Sequence, residues 1–537
     1  MADGTRLGTG SGRSSTRSSV EEQNDAPASR SGWWTLGLTS IATFMLVLDI
    51  TVVNVALPAM ERSLHAQLTD LEWVVDAYAV ALGTLLLISG SLADRLGRKK
   101  VFLSGMVVFT LSSAWASQAT SPSILIVART AQGVGAAGLF ATALALIGFE
   151  YRGAERARAL GVWGASIGAG LAVGPLVGGL LTDSFGWPSI FMVNVPLGVA
   201  VVIAAAARMP ESSSPQRKRL DWPGFVVLGL AMFGGVFGLV EGDRLGWSSV
   251  PVLAGLIGSV LLGAAFVRIE RRPDPMFDLS LLQNRVFLIA TLAVAGQGVV
   301  IGSSLLYLLR DIQDVGGASP LLAGLEVLPM TVASFVAALL AGRMKPAWRY
   351  SSRLAVSLAL MTVGSVAMLL YTPTGSWWWL LPGLILTGAG WGATNPLAAE
   401  AAIVTAGAHS TGMASGVNNT SRQVGIAAGV GGLGAVFQVR TASATAARLT
   451  QVPPARRSRL ASSVARSGLH GTVADLPRRL SGMVRMAASH GMTAGLHAVE
   501  LAAGTAALFT VVVLLLVGRG ERTVPEPPTD GGVASGT

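Results

Sequence analysis

Between Gly161 and Gly179 the chain carries no charge, and about a third of its residues are glycine. In water such a helix is ruled out, because each interior glycine costs roughly 1 kcal/mol relative to alanine. In a bilayer the backbone has no water to bond, so the stretch closes its own hydrogen bonds as a helix. Gly170, Gly174 and Gly178 then recur every four residues and form a smooth stripe on which another helix backbone can approach closely. Pro175 removes one backbone donor and favours a kink. Two readings stand: a bendable helix pressed against a moving neighbour, or a tightly packed span with no mechanical role.

The same apolar character recurs along the chain. Of 537 residues 51% are hydrophobic and 13% charged, against about 25% charged in soluble domains. About fourteen apolar segments long enough to cross a bilayer follow one another. The expected fold class is an all-α polytopic membrane protein. Its expected organisation is a disordered cytoplasmic tail over 1–32, an N-terminal six-helix half over 33–208, and a linker with inserted spans 7 and 8 over 209–284. A C-terminal half over 285–518 follows, with a long external loop at 440–495, and then a cytoplasmic tail over 519–537.

The net charge of +10 raises the question of nucleic acid, but basic residues cluster in short loops between apolar runs. Arg95, Arg98, Lys99 and Lys100 follow span 2, and Arg217, Lys218 and Arg219 follow span 6, whereas Glu61, Asp70 and Glu72 lie after span 1. This asymmetry places both termini in the cytoplasm. The loop 440–495 breaks the pattern with nine Arg against one acid, Asp475; long loops largely escape the charge rule, and an amphipathic interfacial segment or a miscount of one span is the alternative. Cys is absent, which excludes disulfides and thiol chemistry. The five His show no metal-ligand spacing, and no phosphate-binding GxxxxGK[ST] loop occurs. No metal or cofactor is expected, so an ion gradient must supply any energy. Abundant Arg, Ala and Gly with few Lys suggest a G+C-rich bacterial genome, and the expected location is the bacterial inner membrane.

Several ionisable or polar residues interrupt the apolar runs. A charge at the bilayer centre costs about 2.5–3.5 kcal/mol on insertion scales, so each should face a cavity or a partner. Asp49 lies in span 1, with Asn54 on the same segment, and reads either as a reversible proton carrier or as a structural carboxyl fixed by hydrogen bonds. Arg129 lies in span 4 with Gln132 three residues on; paired with Asp49 it either couples the two spans or statically holds them. Asp76 opens span 2 and is either interfacial or functional. Glu326 in span 10 is placed to recognise a cation or carry a proton, and Glu500 in span 14 is similar. Asn54, Asp76, Gln132 and Glu500 are the candidates for a substrate cavity.

Four motifs carry a resemblance to a known family. Gly161, Gly170, Gly174-Pro175 and Gly178-Gly179 resemble the antiporter motif of drug exporters in the major facilitator superfamily. Gly90-Ser-Leu-Ala-Asp94-Arg95-Leu-Gly97-Arg98-Lys99-Lys100 resembles the superfamily's loop between spans 2 and 3. The stretches around Asp49 and Arg129 resemble the span 1 and span 4 motifs of the fourteen-span drug–proton antiporters. Near the end of span 9 the usual Tyr-Leu-Gln is replaced by Asp311-Ile312-Gln313, after Arg310. The resemblance implies two six-helix halves with nested inverted repeats and a site near the midplane between them. It implies a conformational latch at Gly90, Asp94, Arg95, Gly97 and Arg98, proton coupling through Asp49 and Arg129, to which the position of Glu326 in an apolar run adds a third candidate, and export of amphipathic drugs or antibiotics. The protein would act as a monomer in the lipid bilayer, without nucleic acid and not as an enzyme. An uptake symporter for a nutrient and a non-transporting membrane sensor are the alternatives.

Overall fold

The structure, a computed structural model, describes residues 30–151, 153–212, 221–272, 279–341, 348–473 and 476–521. The expected tails, apart from their innermost residues, and the basic groups Arg217, Lys218 and Arg219 lie outside the described residues. Among the described residues all regular structure is helical. The first half comprises α1 (Arg30–Leu64), α2 (Leu68–Leu96), α3 (Arg98–Ala116), α4 (Pro122–Glu150), α5 (Gly153–Phe185) and, after a helical turn at Ser189–Met192, α6 (Asn194–Arg208). Then come α7 (Trp222–Leu245) and α8 (Val250–Ile269). The second half comprises α9 (Arg285–Asp314), α10 (Pro320–Ala341), α11 (Tyr350–Met368), α12 (Leu381–Ala427), α13 (Leu433–Arg448), α14 (Pro454–Val473) and α15 (Arg478–Val517).

Eleven of the described helices are long and apolar enough to cross a membrane. The other three expected spans coincide with α2, α3 and the leading part of α12. Helix starts follow their local chemistry: at α4, Ser121 accepts from the Ile124 amide and Pro122 takes the first position, where its missing N–H costs nothing. α12 has 47 residues and would extend about 70 Å if straight. It folds back instead, since Asn418 Nδ2 donates to Ala398 O at 3.3 Å. Its leading arm packs through Gly388 and Gly392 on α10, and its trailing arm through Gly425 on α9. Between α12 and α13 the chain widens into a π-helical stretch at Ala428–Gly432, whose three glycines offer little resistance to rewinding.

Within the first half α1 packs on α5 and α4, α2 on α4, and α3 on α4 and α6. In the second, α9 packs on α12 and α15, α10 on α12, and α11 on α12 and α15. The halves meet through α5 with α10, α2 with the trailing arm of α12, and α1 with α9. α7 docks on α2, where Trp73 Nε1 donates to Glu241 Oε1 at 3.0 Å. α8 is only 6% buried over its apolar window, so this pair rides on the lipid-facing outside. The segment 440–495, expected as a loop, is largely helical: it contains the end of α13, all of α14 and the start of α15. Its many arginines masked a helix with one apolar face, on which Ala461, Val464 and Ala465 are buried.

Candidate functional site

The centre of the first half is a polar knot in an apolar bundle. Arg129 Nη1 donates to Asp49 Oδ2 at 2.5 Å and to Gln132 Oε1 at 2.9 Å. Gln132 Nε2 donates to Asp49 Oδ1 at 3.3 Å and to Ser113 Oγ at 2.7 Å, and Asn194 Nδ2 donates to the same Asp49 oxygen at 3.1 Å. Arg129 Nε reaches Val74 O at 3.2 Å, and its guanidinium lies 4.3 Å from the centre of the Tyr78 ring. Asp49 and Arg129 are 1% and 2% exposed. So α1, α2, α3, α4 and α6 all contribute to holding one carboxylate. The sequence reading named Asp49, Arg129 and Gln132 but missed Ser113 and Asn194. Asn54, a cavity candidate, instead donates to Ile50 O on its own helix.

The glycine stripe lies between that knot and the other half. A Cβ on Gly170 would meet Val47 at 3.1 Å, one on Gly174 would overlap the Thr51 hydroxyl, and one on Gly178 would meet Val52 Cα at 2.8 Å. These three therefore seat α1, including the residue two positions from Asp49. Gly179 faces the other way, toward Pro320 O and Leu321 of α10, and the Pro175 carbonyl faces Gly324. Gly161 has open space around it. α5 is thus clamped between α1 of its own half and α10 of the other.

At the α2–α3 turn Gly97 has φ +109, a conformation that favours glycine. Among the described side chains the acid beside it is Glu211. Glu211, just past α6, accepts from the Lys99 amide at 3.1 Å, and a Cβ on Gly97 would strike its carboxylate. A carboxylate suits the positive end of a helix such as α3. Arg98 Nη1 donates to Ala145 O at 3.3 Å, Arg95 is exposed, and Gly90 has open space around it. The side chain of Asp94 lies outside the described ones.

The described polar contacts between halves concentrate at the α1–α2 end. Arg310 Nη2 donates to Glu61 Oε1 at 2.9 Å, and Gln313 Nε2 to Val55 O at 2.8 Å. The Tyr307 hydroxyl lies 2.8 Å from both Glu72 Oε1 and Val430 O, the latter a carbonyl of the π-helical stretch. Tyr307 also stacks on Phe437 at 4.8 Å. Gly468 of α14, with φ +66, sits over Asp314, Arg310 and Glu61. Asp76 lies one helical turn from Glu72, fully buried, and neither of its oxygens has a hydrogen-bond partner among the described residues. Glu326 is half-buried on α10. Glu500 is not at the junction of the halves: it is enclosed inside the second half, where α15 packs on α9 and α11.

Two halves joined by α5–α10, α2–α12 and α1–α9, with a buried charge pair in the first and a glycine-lined helix at their junction, form one recognisable architecture. A sequence profile described as Major Facilitator Superfamily matches residues 39–430. The chain belongs to the major facilitator superfamily. Superfamily relatives include a protein named multidrug resistance protein Stp from Mycobacterium tuberculosis, 34% identical, covering 75% of each chain. Another, named tetracenomycin C resistance and export protein, from Streptomyces glaucescens, is 29% identical over 91% of this chain and 92% of that one. Among solved structures, an auto-inhibited POT family peptide transporter matches with a TM-score of 0.62 at 14% identity, covering 93% of this chain and 99% of that one; at that identity the likeness concerns fold alone. This member is thus a multi-pass membrane protein of a transporter family.

Proposed function

We propose that the protein exports amphipathic drugs or antibiotics and draws its energy from a proton gradient. The observation that carries this reading is the Asp49–Arg129 pair, almost wholly buried and gripped by residues of several helices. Insertion of such a pair is costly, and removing one partner leaves a bare charge worth about 3–5 kcal/mol. A proton on Asp49 does the same to Arg129, so proton binding weakens the α1–α4 contact and favours a state in which the two helices part. The names of the relatives, which speak of resistance and export, support the outward direction.

The basic α2–α3 turn faces the cytoplasm on this reading, by the positive-inside rule. Fourteen spans and cytoplasmic termini follow, with the two halves at 33–208 and 285–518. The α1–α2 end is then the outer end, closed here by Glu61–Arg310 and Tyr307–Glu72, and substrate enters from the cytoplasm or the inner leaflet. α1 carries Asp49 toward α4 and Thr51 toward Gly174 of α5. A shift of α1 therefore passes to α5, and through Pro175 and Gly179 to α10 of the other half. Glu326, two residues past Gly324 on α10, and Asp76, one turn from Glu72 on α2, supply carboxyls for proton or cationic substrate. The protein acts as a monomer with no cofactor.

Proteoliposomes with an imposed pH gradient test the reading. Asp49→Asn should retain substrate binding and passive exchange but lose gradient-driven accumulation. Full accumulation by Asp49→Asn would remove the proton role from this pair.

A further inference from the structure

α9 has two polar faces. Tyr307, Arg310 and Gln313 turn to the first half and close the outer end. Asp311 turns the other way: fully buried, it accepts from Thr493 Oγ1 of α15 at 3.1 and 3.3 Å. Two helical turns inward on α9 stands Ser304, and two turns inward on α15 stands Glu500. Because the two helices are antiparallel, Thr493–Asp311 and Glu500–Ser304 are successive rungs of one seam. Between them on α15, His497 Nε2 lies 2.8 Å from Tyr371 O, next to the exposed Thr372.

Glu500 is 0% exposed. It lies beside the hydroxyls of Ser304 and Ser365, yet among the described residues neither of its oxygens closes a well-formed hydrogen bond. Among the described residues no cation pairs with Glu500 or Asp311: Arg310 is directed to Glu61 and Asp314. The other groups turned to this region are Asp314 beside Asp311, Glu326 of α10 near Tyr371, Ser365 of α11, Tyr371 itself, His497, and Thr441 and Thr445 of α13, which face Gly495 and Gly491. None of these is a fixed positive charge. A bare carboxylate so enclosed carries a desolvation cost of several kcal/mol, which a bound proton removes.

We infer that Asp311 and Glu500 form a second proton-binding site on the α9–α15 seam, separate from Asp49, whose occupancy is coupled to the outer gate through α9. The coupling is geometric. Parting the outer ends moves α9 away from Glu61, Glu72 and Val55; in the inferred coupling α9 then shifts against α15 and carries Ser304 and Asp311 with it. Gate closed, the seam encloses neutral acids; gate open, it admits water and the proton leaves. His497 and Tyr371 lie between its two rungs, beside the exposed Thr372. Only the site's part in the transport cycle rests on the proton-coupled reading; its existence does not.

The test is infrared difference spectroscopy on the full chain in lipid nanodiscs, which reads the carbonyl stretch of a protonated carboxyl without requiring chemical access. The wild type should show such a band at neutral pH, and Glu500→Gln and Asp311→Asn should each remove part of it. Arg310→Gln, which opens the gate, should diminish the same band. Identical spectra for wild type and both seam variants would overturn the site. If either variant fails to fold, the wild-type band decides: it must vanish on alkaline titration only after Arg310→Gln opens the seam, and equal titration with the gate closed would overturn the coupling. In transport, Glu500→Gln should export with about one proton fewer per substrate; an unchanged ratio also overturns the coupling. Failure of Asp49→Asn to abolish antiport would leave the infrared result standing, so the two claims fail separately.

Discussion

Removing Arg310 should open the outer end. Its guanidinium is 2% exposed and lies 2.9 Å from Glu61, itself 8% exposed, with Asp314 Oδ2 3.8 Å from Nε. Breaking a pair this enclosed costs about 3–5 kcal/mol. That cost falls on the closed state alone, because Glu61 is hydrated once the ends part. At about 1.4 kcal/mol per factor of ten, Arg310→Gln lowers the closed-to-open ratio by roughly two to three powers of ten. The Tyr307–Glu72 and Gln313–Val55 contacts exist in both proteins and cancel in the comparison. The chain has no cysteine, so spin labels need no background substitution. Ser63 at the end of α1 and Ser319 before α10 are exposed on the two halves at this end. Electron–electron resonance between labels at Ser63→Cys and Ser319→Cys should give one short distance population in the parent and mostly a longer one after Arg310→Gln. An unchanged distribution would refute the assignment of this pair as a gate.

Three further outcomes follow from named contacts. Gly174→Leu places atoms where the Thr51 hydroxyl sits; overpacking of this kind costs about 1–3 kcal/mol, so accessibility labelling should find one access state trapped, and equal labelling of both states would count against it. Gln132→Leu removes a donor to Asp49 and an acceptor from Arg129, lowering stability by about 1–3 kcal/mol; thermal unfolding in nanodiscs matching the wild type would contradict this. Glu211→Gln weakens the grip on the start of α3, so hydrogen exchange at Lys99 and Lys100 should quicken several-fold, and unaltered protection would rule that contact unimportant.

Much of the architecture was legible because bilayer physics leaves few choices. A charge-free glycine stripe must be a helix with a close neighbour, and Asp49 and Arg129 stand out as charges inside apolar runs. What stayed hidden depends on contacts between distant segments. Ser113 and Asn194 are uncharged residues without local signal, and they gain meaning only when α3 and α6 bring them to Asp49 and Gln132. Glu211 sits in what reads as a linker, so its seat at the α3 N-terminus was invisible and the neighbouring Asp94 drew attention instead. Glu61 and Glu72 read as loop acids, since hydropathy gives depth and not partners; their mates Arg310 and Tyr307 come from α9, more than two hundred positions away. Asp311 registered only as a departure from a pattern, yet it marks the contact of α9 with Thr493 of α15. α14 surfaced only as the alternative of an amphipathic segment within 440–495, because its arginines dilute the apolar signal that its buried face carries.

The central claim is that proton binding at Asp49 drives export. The most direct measurement uses inverted membrane vesicles energised to an acid interior, with lumenal pH followed as cationic dyes and antibiotics are added. Substrate-induced alkalinisation that disappears in Asp49→Asn is the predicted result. Acidification on adding substrate, or alkalinisation that persists in Asp49→Asn, would contradict the account.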